Sequence, residues 1–526
     1  MPVRALSQGV FCDKLKGQYA SDEADAEDEN MQYILAHDLG TTGDKATLFT
    51  TEGELFARCV HGYPCKYSNG NWAEQEPEDW YAAVCRATRE LVAGINPADI
   101  VGVSFSGHMT GAVMLGADGS PLRSAIIWAD QRATEEQRML SERLGDARIY
   151  QITGGRNNST NSIAKIMWSL KHDGISDRLA AAVNCKDYIV YKLTGSMGTD
   201  YSDASGTGAM DICRFEWSQE ILDAAGVPRR VMPDIFNAVD LAGGITAQAA
   251  QETGLLQGTP VYRGCGDGTA ATVGTGVNRG EGYICLGTSA WIAYADDTPL
   301  LDPEHRTFNQ AGIVRGSVYP LGTMQAAASS YSWMRDELCG SESAEAEALG
   351  KSVYDLINEK IGKVPVGSNG VVFLPYLMGE RSPWWDASAR GAFLGLRRET
   401  RREDMLRAVM EGVSMNLALI LRAFRQSRNF DSLRVIGGGA QDPVWRQMLA
   451  DVLDVRIEKL NLLEEGSSVG AAMVAGIGSG VFEGTSAVSR FVHVDGVYAP
   501  NPENVEKYAP LIDRVAEGYH RLQGFY

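Results

Sequence analysis

Apolar and polar residues along the chain follow two alternating periods. From 31 to about 280, β-rich runs (Ile34 to Thr50, Ile100 to Ser106, Val261 to Gly264) alternate with stretches of helical spacing, Glu78 to Ala93 and Ala133 to Leu144. Such alternation predicts an α/β domain. Ile163 to His172 and Lys186 to Gly195 also read as helices, and Pro443 to Leu453 as another. The pattern then restarts. Tyr283-Ile-Cys-Leu-Gly-Thr-Ser289 echoes the phrase Tyr33 to Thr42, Arg434 to Gly439 echoes Val101 to Gly107, and Glu465-Gly-Ser-Ser-Val echoes Asp267-Gly-Thr-Ala-Ala. The echoes are unequally spaced, which predicts a duplicated unit whose halves carry different insertions. The expected division is 31–279 and 280–526.

Residues 1–30 lack apolar periodicity and end in the acidic run Asp22 to Glu29, which is expected to form a disordered extension. Met31 stands directly before the first strand, so translation is expected to start there naturally. At 526 residues, two or more domains and a cleft between them are expected. Apolar content of 44% and charged content of 22% are those of a globular protein. A formal charge of −19 argues against a nucleic-acid surface. The nine cysteines form no C-x-x-C pair, the usage expected of a cytoplasmic protein. The seven histidines show no zinc-binding spacing. No run of about 18 apolar residues is present, so no membrane span is expected. The Gly- and Ala-rich run Val469 to Val481 suits close helix packing instead.

The stretch Tyr33 to Phe49 reads as a hairpin whose Gly40-Thr41-Thr42-Gly43 tip can converge N–H groups and hydroxyls on phosphate. An ordinary polar turn is the alternative. Asp38 stands at the end of the first strand, and a carboxylate beside phosphates calls for a cation, Mg²⁺ carried by a nucleotide. Asp267 follows a β-type run and precedes a small-residue helix. It is either a base presented at a strand end or a helix cap. Gly437-Gly438-Gly439 allows close approach of a ligand to the backbone ahead of a helix, while Asp442 serves equally as that helix's N-cap.

Six motifs occur in order: Asp38-Leu-Gly-Thr-Thr-Gly, Trp128-Ala-Asp-Gln-Arg132, Gly264-Cys-Gly-Asp267, Leu286-Gly-Thr-Ser289, Gly379-Glu-Arg-Ser-Pro383 and Gly437-Gly-Gly-Ala-Gln-Asp-Pro-Val-Trp-Arg446. Together they resemble the FGGY carbohydrate kinases, most closely the xylulokinases, over residues 31 to 526. The resemblance implies two actin-like (ribonuclease H-like) ATPase domains with the active site in the cleft between them. It implies Asp267 as catalytic base and Asp38 as the Mg²⁺-associated carboxylate, both candidates to face the metal. ATP would lie on Gly40, Thr41 and Thr42, on Gly287, Thr288 and Ser289, and on Gly437, Gly438, Gly439 and Ala440. The sugar would meet Met109, Thr110, Gly111, Asp130 and Gly268. Asp130 also reads as a helix cap, Arg132 as a structural ion-pair partner, and Glu380 and Arg381 as architectural. The implied reaction is ATP-dependent phosphorylation of a small sugar, a pentulose such as xylulose. Another ketose, a polyol or a sugar acid is the alternative acceptor, and an actin-like ATP-binding regulator the alternative class. No nucleic-acid partner is expected; a homodimer is allowed but not specified.

The chain departs from the xylulokinase pattern at two places. Xylulokinases carry Met-His-Gly where Met109-Thr110-Gly111 stands, and Asp-Asn where Asp267-Gly268 stands. The vacated space is expected to hold water, a bulkier sugar or a side chain from elsewhere, and D-xylulose is not expected to be markedly preferred. Trp384 and Trp385 contribute only if their loop faces the cleft; otherwise they are packing residues.

Overall fold

The structure, a computed structural model, describes residues 31–462 and 465–526. The acidic extension expected at 1–30 lies outside the described residues. In the first half, β1 (Tyr33–Leu39), β2 (Gly43–Thr50) and β3 (Leu55–Gly62) form an antiparallel meander. Helix α1 (Pro77–Val92) then leads to β4 (Ile100–Gly107), which pairs parallel with β1. Pro77 opens α1, Glu78 and Asp79 occupy its first turn and Arg89 its last, so its charges complement the helix dipole. Helix α2 (Cys185–Thr194), β5 (Pro260–Tyr262, parallel with β4) and α3 (Asp267–Gly274) complete the unit.

The second half repeats this order. β6 (Gly282–Leu286), β7 (Ala290–Tyr294) and β8 (Val318–Met324) form the meander. Helix α4 (Arg402–Phe424) precedes β9 (Ser432–Ile436), which pairs parallel with β6. Helix α5 (Pro443–Leu453), β10 (Arg456–Leu460, parallel with β9) and α6 (Gly466–Gly478) follow. The central strand orders, β5-β4-β1-β2-β3 and β10-β9-β6-β7-β8, are therefore equivalent.

The halves meet through α3 and α6, whose closeness requires glycine. A Cβ on Gly274 would lie 1.9 Å from the Gly466 carbonyl oxygen, and one on Gly470 would lie 2.0 Å from that of Ala270. Helix α6 packs beneath β1 and β4 of the opposite half. One core of buried residues accordingly draws Ile34, Ala36 and Phe49 together with Tyr283, Val469 and Met473. Residues inserted between β4 and β5 build a lobe around their own core, including Leu140, Ile163 and Trp217, against which Ala311 and Val318 of the second half pack. No helix among the described residues is long and apolar enough to cross a membrane.

Candidate active site

A cavity of about 370 Å³ opens between the inserted lobe and the second half. Asp267 stands on its wall as the first residue of α3, after Gly266 as N-cap. Its carboxylate accepts from the neighbouring Gly268 N–H, at 2.7 Å, and from its own N–H, and is open to the cavity. A carboxyl at a helix N-terminus is ordinarily driven to low pKa. Here the surrounding protein wins: desolvation, followed by the nearby charge of Asp38, pushes Asp267 up to about 7. Asp267 is held in place from behind. The Gly266 N–H donates to Ser202 Oγ (2.8 Å), Ser202 Oγ donates to Asp200 (2.5 Å), and Asp200 pairs with the buried Lys186 Nζ at 2.8 Å. Lys186 also meets Asp187 and Asp203, filling the space that those three carboxylates would offer a metal.

Asp38 is the penultimate residue of β1 and accepts from Ser106 Oγ at 2.9 Å, with Lys45 Nζ 3.9 Å away. Burial raises its pKa, against the Lys45 charge. Two carboxylates that feel each other, both offering hard oxygen donors, fit a divalent cation carried by a nucleotide. Lys45 is shared with Glu465 of the second half (3.2 Å), which also meets Arg58 at 2.8 Å.

Met109, Thr110 and Gly268 also line the cavity. Met109 lies over glycine backbone; a Cβ on Gly266 would come within 2.4 Å of its side chain. Thr110 takes φ of 59°, a left-handed conformation unusual for a β-branched residue, while its carbonyl accepts from Lys165 Nζ at 2.7 Å. The space over Gly268 is filled from the other half. A Cβ there would lie 2.7 Å from Gln310 Oε1, whose amide otherwise meets only Met109 Sδ, at 3.4 Å.

The β1–β2 tip lies beside Asp38. Neither Gly40 nor Gly43 uses positive φ. Gly43 is required for proximity, since a Cβ would sit 2.9 Å from the His61 carbonyl oxygen. Thr41 Oγ1 accepts from the indole of Trp128 (2.9 Å), another cavity residue, and Thr42 is exposed. The β6–β7 turn brings Ser289 to the cavity, while the carbonyls of Gly287 and Thr288 accept N–H groups from 327–329. Gly437 (φ 95°) and Gly439 press against Leu286, where a Cβ would meet backbone at 2.7 and 3.0 Å, and Gly438 is open. Two glycine loops thus form one continuous surface at the ends of β6 and β9.

This duplicated, cleft-bearing arrangement has recognisable relatives. Residues 33–274 match the model of the FGGY family of carbohydrate kinases, N-terminal domain, and residues 282–479 match that of the C-terminal domain. The chain belongs to the FGGY family of carbohydrate kinases. It is 33% identical over 491 residues to a xylulose kinase of Bacillus subtilis, covering 92% of this chain and 96% of that one. It is 29% identical over 489 residues to a gluconokinase of the same organism, covering 91% and 94%. The solved gluconate kinase from Lactobacillus acidophilus superposes with a TM-score of 0.87 at 27% identity, covering 94% of this chain and 98% of that one. The actin-like two-domain fold expected from the motifs is therefore the fold of this FGGY kinase.

Of the expected site residues, Met109, Thr110, Asp267, Gly268 and Ser289 line this kinase's cavity; Asp38, Gly40, Thr41, Thr42, Gly287, Thr288, Gly437, Gly438 and Gly439 lie outside its lining, and so do Asp130, Gly111 and Ala440. Asp130 is wholly buried, its oxygens taken by Arg132 and by the N–H groups of Ala73 and Arg132, so it anchors the lobe instead of meeting sugar. Gly111 lies behind the cavity wall, near the Ile126 carbonyl. Ala440 is buried, with its N–H on Gly437 and its carbonyl accepting from Arg446, which leaves it no free donor for ATP. Asp442 is the N-cap of α5. Of the tryptophans, Trp384 stacks on Tyr519 at 4.3 Å, whereas Trp385 lines the cavity. Glu380 is architectural, buried and accepting from the Gln325 and Arg381 N–H groups, and burial pushes it up to about 8. Arg381, expected to be architectural as well, lines the cavity. The sequence reading also missed Gln310, Arg156, Asn158 and Asn161, which carry no motif. The only local signal was the polar run Arg156-Asn-Asn-Ser-Thr-Asn161 between two helices.

Proposed function

We propose that this FGGY kinase transfers the γ-phosphoryl group of ATP to a hydroxyl of a small sugar, with Asp267 as general base. The carrying observation is that carboxylate: open to the cavity, without a cationic partner among the described residues, and pushed up to about 7 by desolvation and the charge of Asp38, a range in which a base is both ionised and proton-seeking. The acceptor O–H gives its proton to Asp267 as its oxygen bonds to the γ-phosphorus, and the bond from phosphorus to the ADP oxygen breaks. Asp38 would hold Mg²⁺, which supplies charge neutralisation on the phosphates. Gly40, Thr41 and Thr42 face the phosphates from one side, and Gly287, Thr288 and Ser289 from the other. Gly437, Gly438 and Gly439 back the nucleotide.

The relatives' names point first to a pentulose such as xylulose. Thr110, and Gly268 beneath Gln310, stand against a marked preference for it, because the donors that would read its hydroxyls are differently placed. The test is ADP release with ATP and Mg²⁺ across ketoses, polyols and sugar acids. Strong stimulation by at least one of them is expected. An ATPase rate indifferent to the whole panel would favour the nucleotide-binding regulator.

A further inference from the structure

The cavity carries two guanidinium groups that the phosphoryl-transfer argument does not use. Arg156 and Arg381 both line it, and neither has a carboxylate within ion-pair distance among the described residues. Arg156 donates only through Nε, to the His305 carbonyl at 2.8 Å, and lies over the Trp385 ring at 5.3 Å. The Arg381 guanidinium donates to no acceptor among the described residues, although desolvation opposes its charge. Half-enclosed cations of this kind are costly unless a ligand pairs with them.

The strand Phe308–Ala311 shows which end Arg156 occupies. Phe308 meets Trp385 edge-on at 6.2 Å, beside Arg156. Gln310, two residues along and therefore on the same face, covers Gly268 next to Asp267. Two strand residues span ~7 Å. With carbon–carbon bonds of ~1.5 Å, that separation suits a linear acceptor of about five or six carbons. The two ends of the cavity thus differ in chemistry, the Arg156 cation at one and Asp267 at the other, while Arg381 lines the same cavity.

We propose that the preferred acceptor is a linear sugar acid, its carboxylate held by Arg156 and Arg381 and its far terminal hydroxyl phosphorylated at Asp267. This rests on the kinase reading above and selects within it. Gln310 and Asn161 read the intervening hydroxyls, since among the described residues the Gln310 amide meets only a thioether and Asn161 uses only its Nδ2, on the Arg156 carbonyl.

The test compares D-gluconate with D-glucitol, which has the same carbon chain without the carboxylate, and with D-xylulose and a hexose phosphate. Gluconate is expected to give a kcat/KM at least about tenfold above each, the worth of a charge-assisted contact, and a product phosphorylated at the terminal carbon by ³¹P and ¹³C NMR. Arg156→Gln should raise the gluconate KM about 10- to 100-fold with the ATP KM little changed, and Arg156→Lys should recover part of the loss. Thermal melting of each variant separates misfolding from lost recognition. Preference for xylulose, glucitol or the hexose phosphate overturns the proposal while leaving the kinase reading standing. So does an Arg156→Gln effect confined to the ATP KM. No stimulation by any acceptor overturns both.

Discussion

Asp267 and Glu465 occupy equivalent places in the two halves, each an acidic residue before a glycine where the third helix of its unit begins. Their surroundings are opposite. Asp267 meets no cation among the described residues, borders the cavity and is pushed up to about 7. Glu465 is buried between Lys45 and Arg58 of the other half, so its charge is spent on joining the halves beside Asp38. A carboxylate becomes a base by being left without a cationic partner in a poorly solvated place, and an anchor by being given two. The duplicated scaffold supplies the position, and the facing half decides its chemistry.

The strongest way to break this comparison is to remove the proton acceptor. Asp267→Asn should bind ATP nearly normally, by calorimetry, while turnover falls about 10²- to 10⁴-fold. Near wild-type turnover would place the base elsewhere. The same substitution should raise the melting temperature at pH 8 more than at pH 5. The sign follows from the raised pKa: above the ordinary carboxylate range the folded state must carry a charge that the unfolded chain carries more easily.

Next in size is pH. For the proposed base, pushed up to about 7 from the ordinary carboxylate range, kcat/KM should fall about tenfold per unit below pH 7 and level off above it. A profile flat down to pH 5 would mean that Asp267 is ionised throughout, and the contrast with Glu465 would vanish.

Glu465→Gln sharpens the comparison from the other side. It leaves Lys45 and Arg58 without their shared carboxylate, and because both are partly exposed the expected loss is about 1–3 kcal/mol, read by urea unfolding. Turnover should fall far less than in Asp267→Asn. The smallest effect concerns the residue beside the base. Gly268→Ala should raise the acceptor KM by about tenfold or less by displacing Gln310, and Gly268→Ala with Gln310→Ala should lose little more than either alone. Additive losses would show that the two residues act separately.

Much was legible because it is local. The β1–β2 hairpin follows from two apolar runs around a Gly-Thr-Thr-Gly tip, and α1 from its spacing and its end charges. The predicted helix Pro443 to Leu453 is observed with those bounds, Asp442 capping it. The close packing read into the glycines and alanines after Val469 appears as the α3–α6 contact. Asp130 was misplaced because a Trp-Ala-Asp-Gln-Arg motif does not say which way its carboxylate turns. Arg132, two residues on, takes that carboxylate inward.

By itself, then, the sequence determined the duplicated α/β pattern and the glycine loops, and it marked Asp38 and Asp267 as candidates. These depend on periodicity and on residues adjacent along the chain. The tertiary structure alone decided that Gln310 covers Gly268, that Arg156 and Arg381 share a cavity with Asp267, and that Glu465 is neutralised while Asp267 is not. Each of these joins residues far apart in the chain, and burial and charge pairing exist only once distant segments meet.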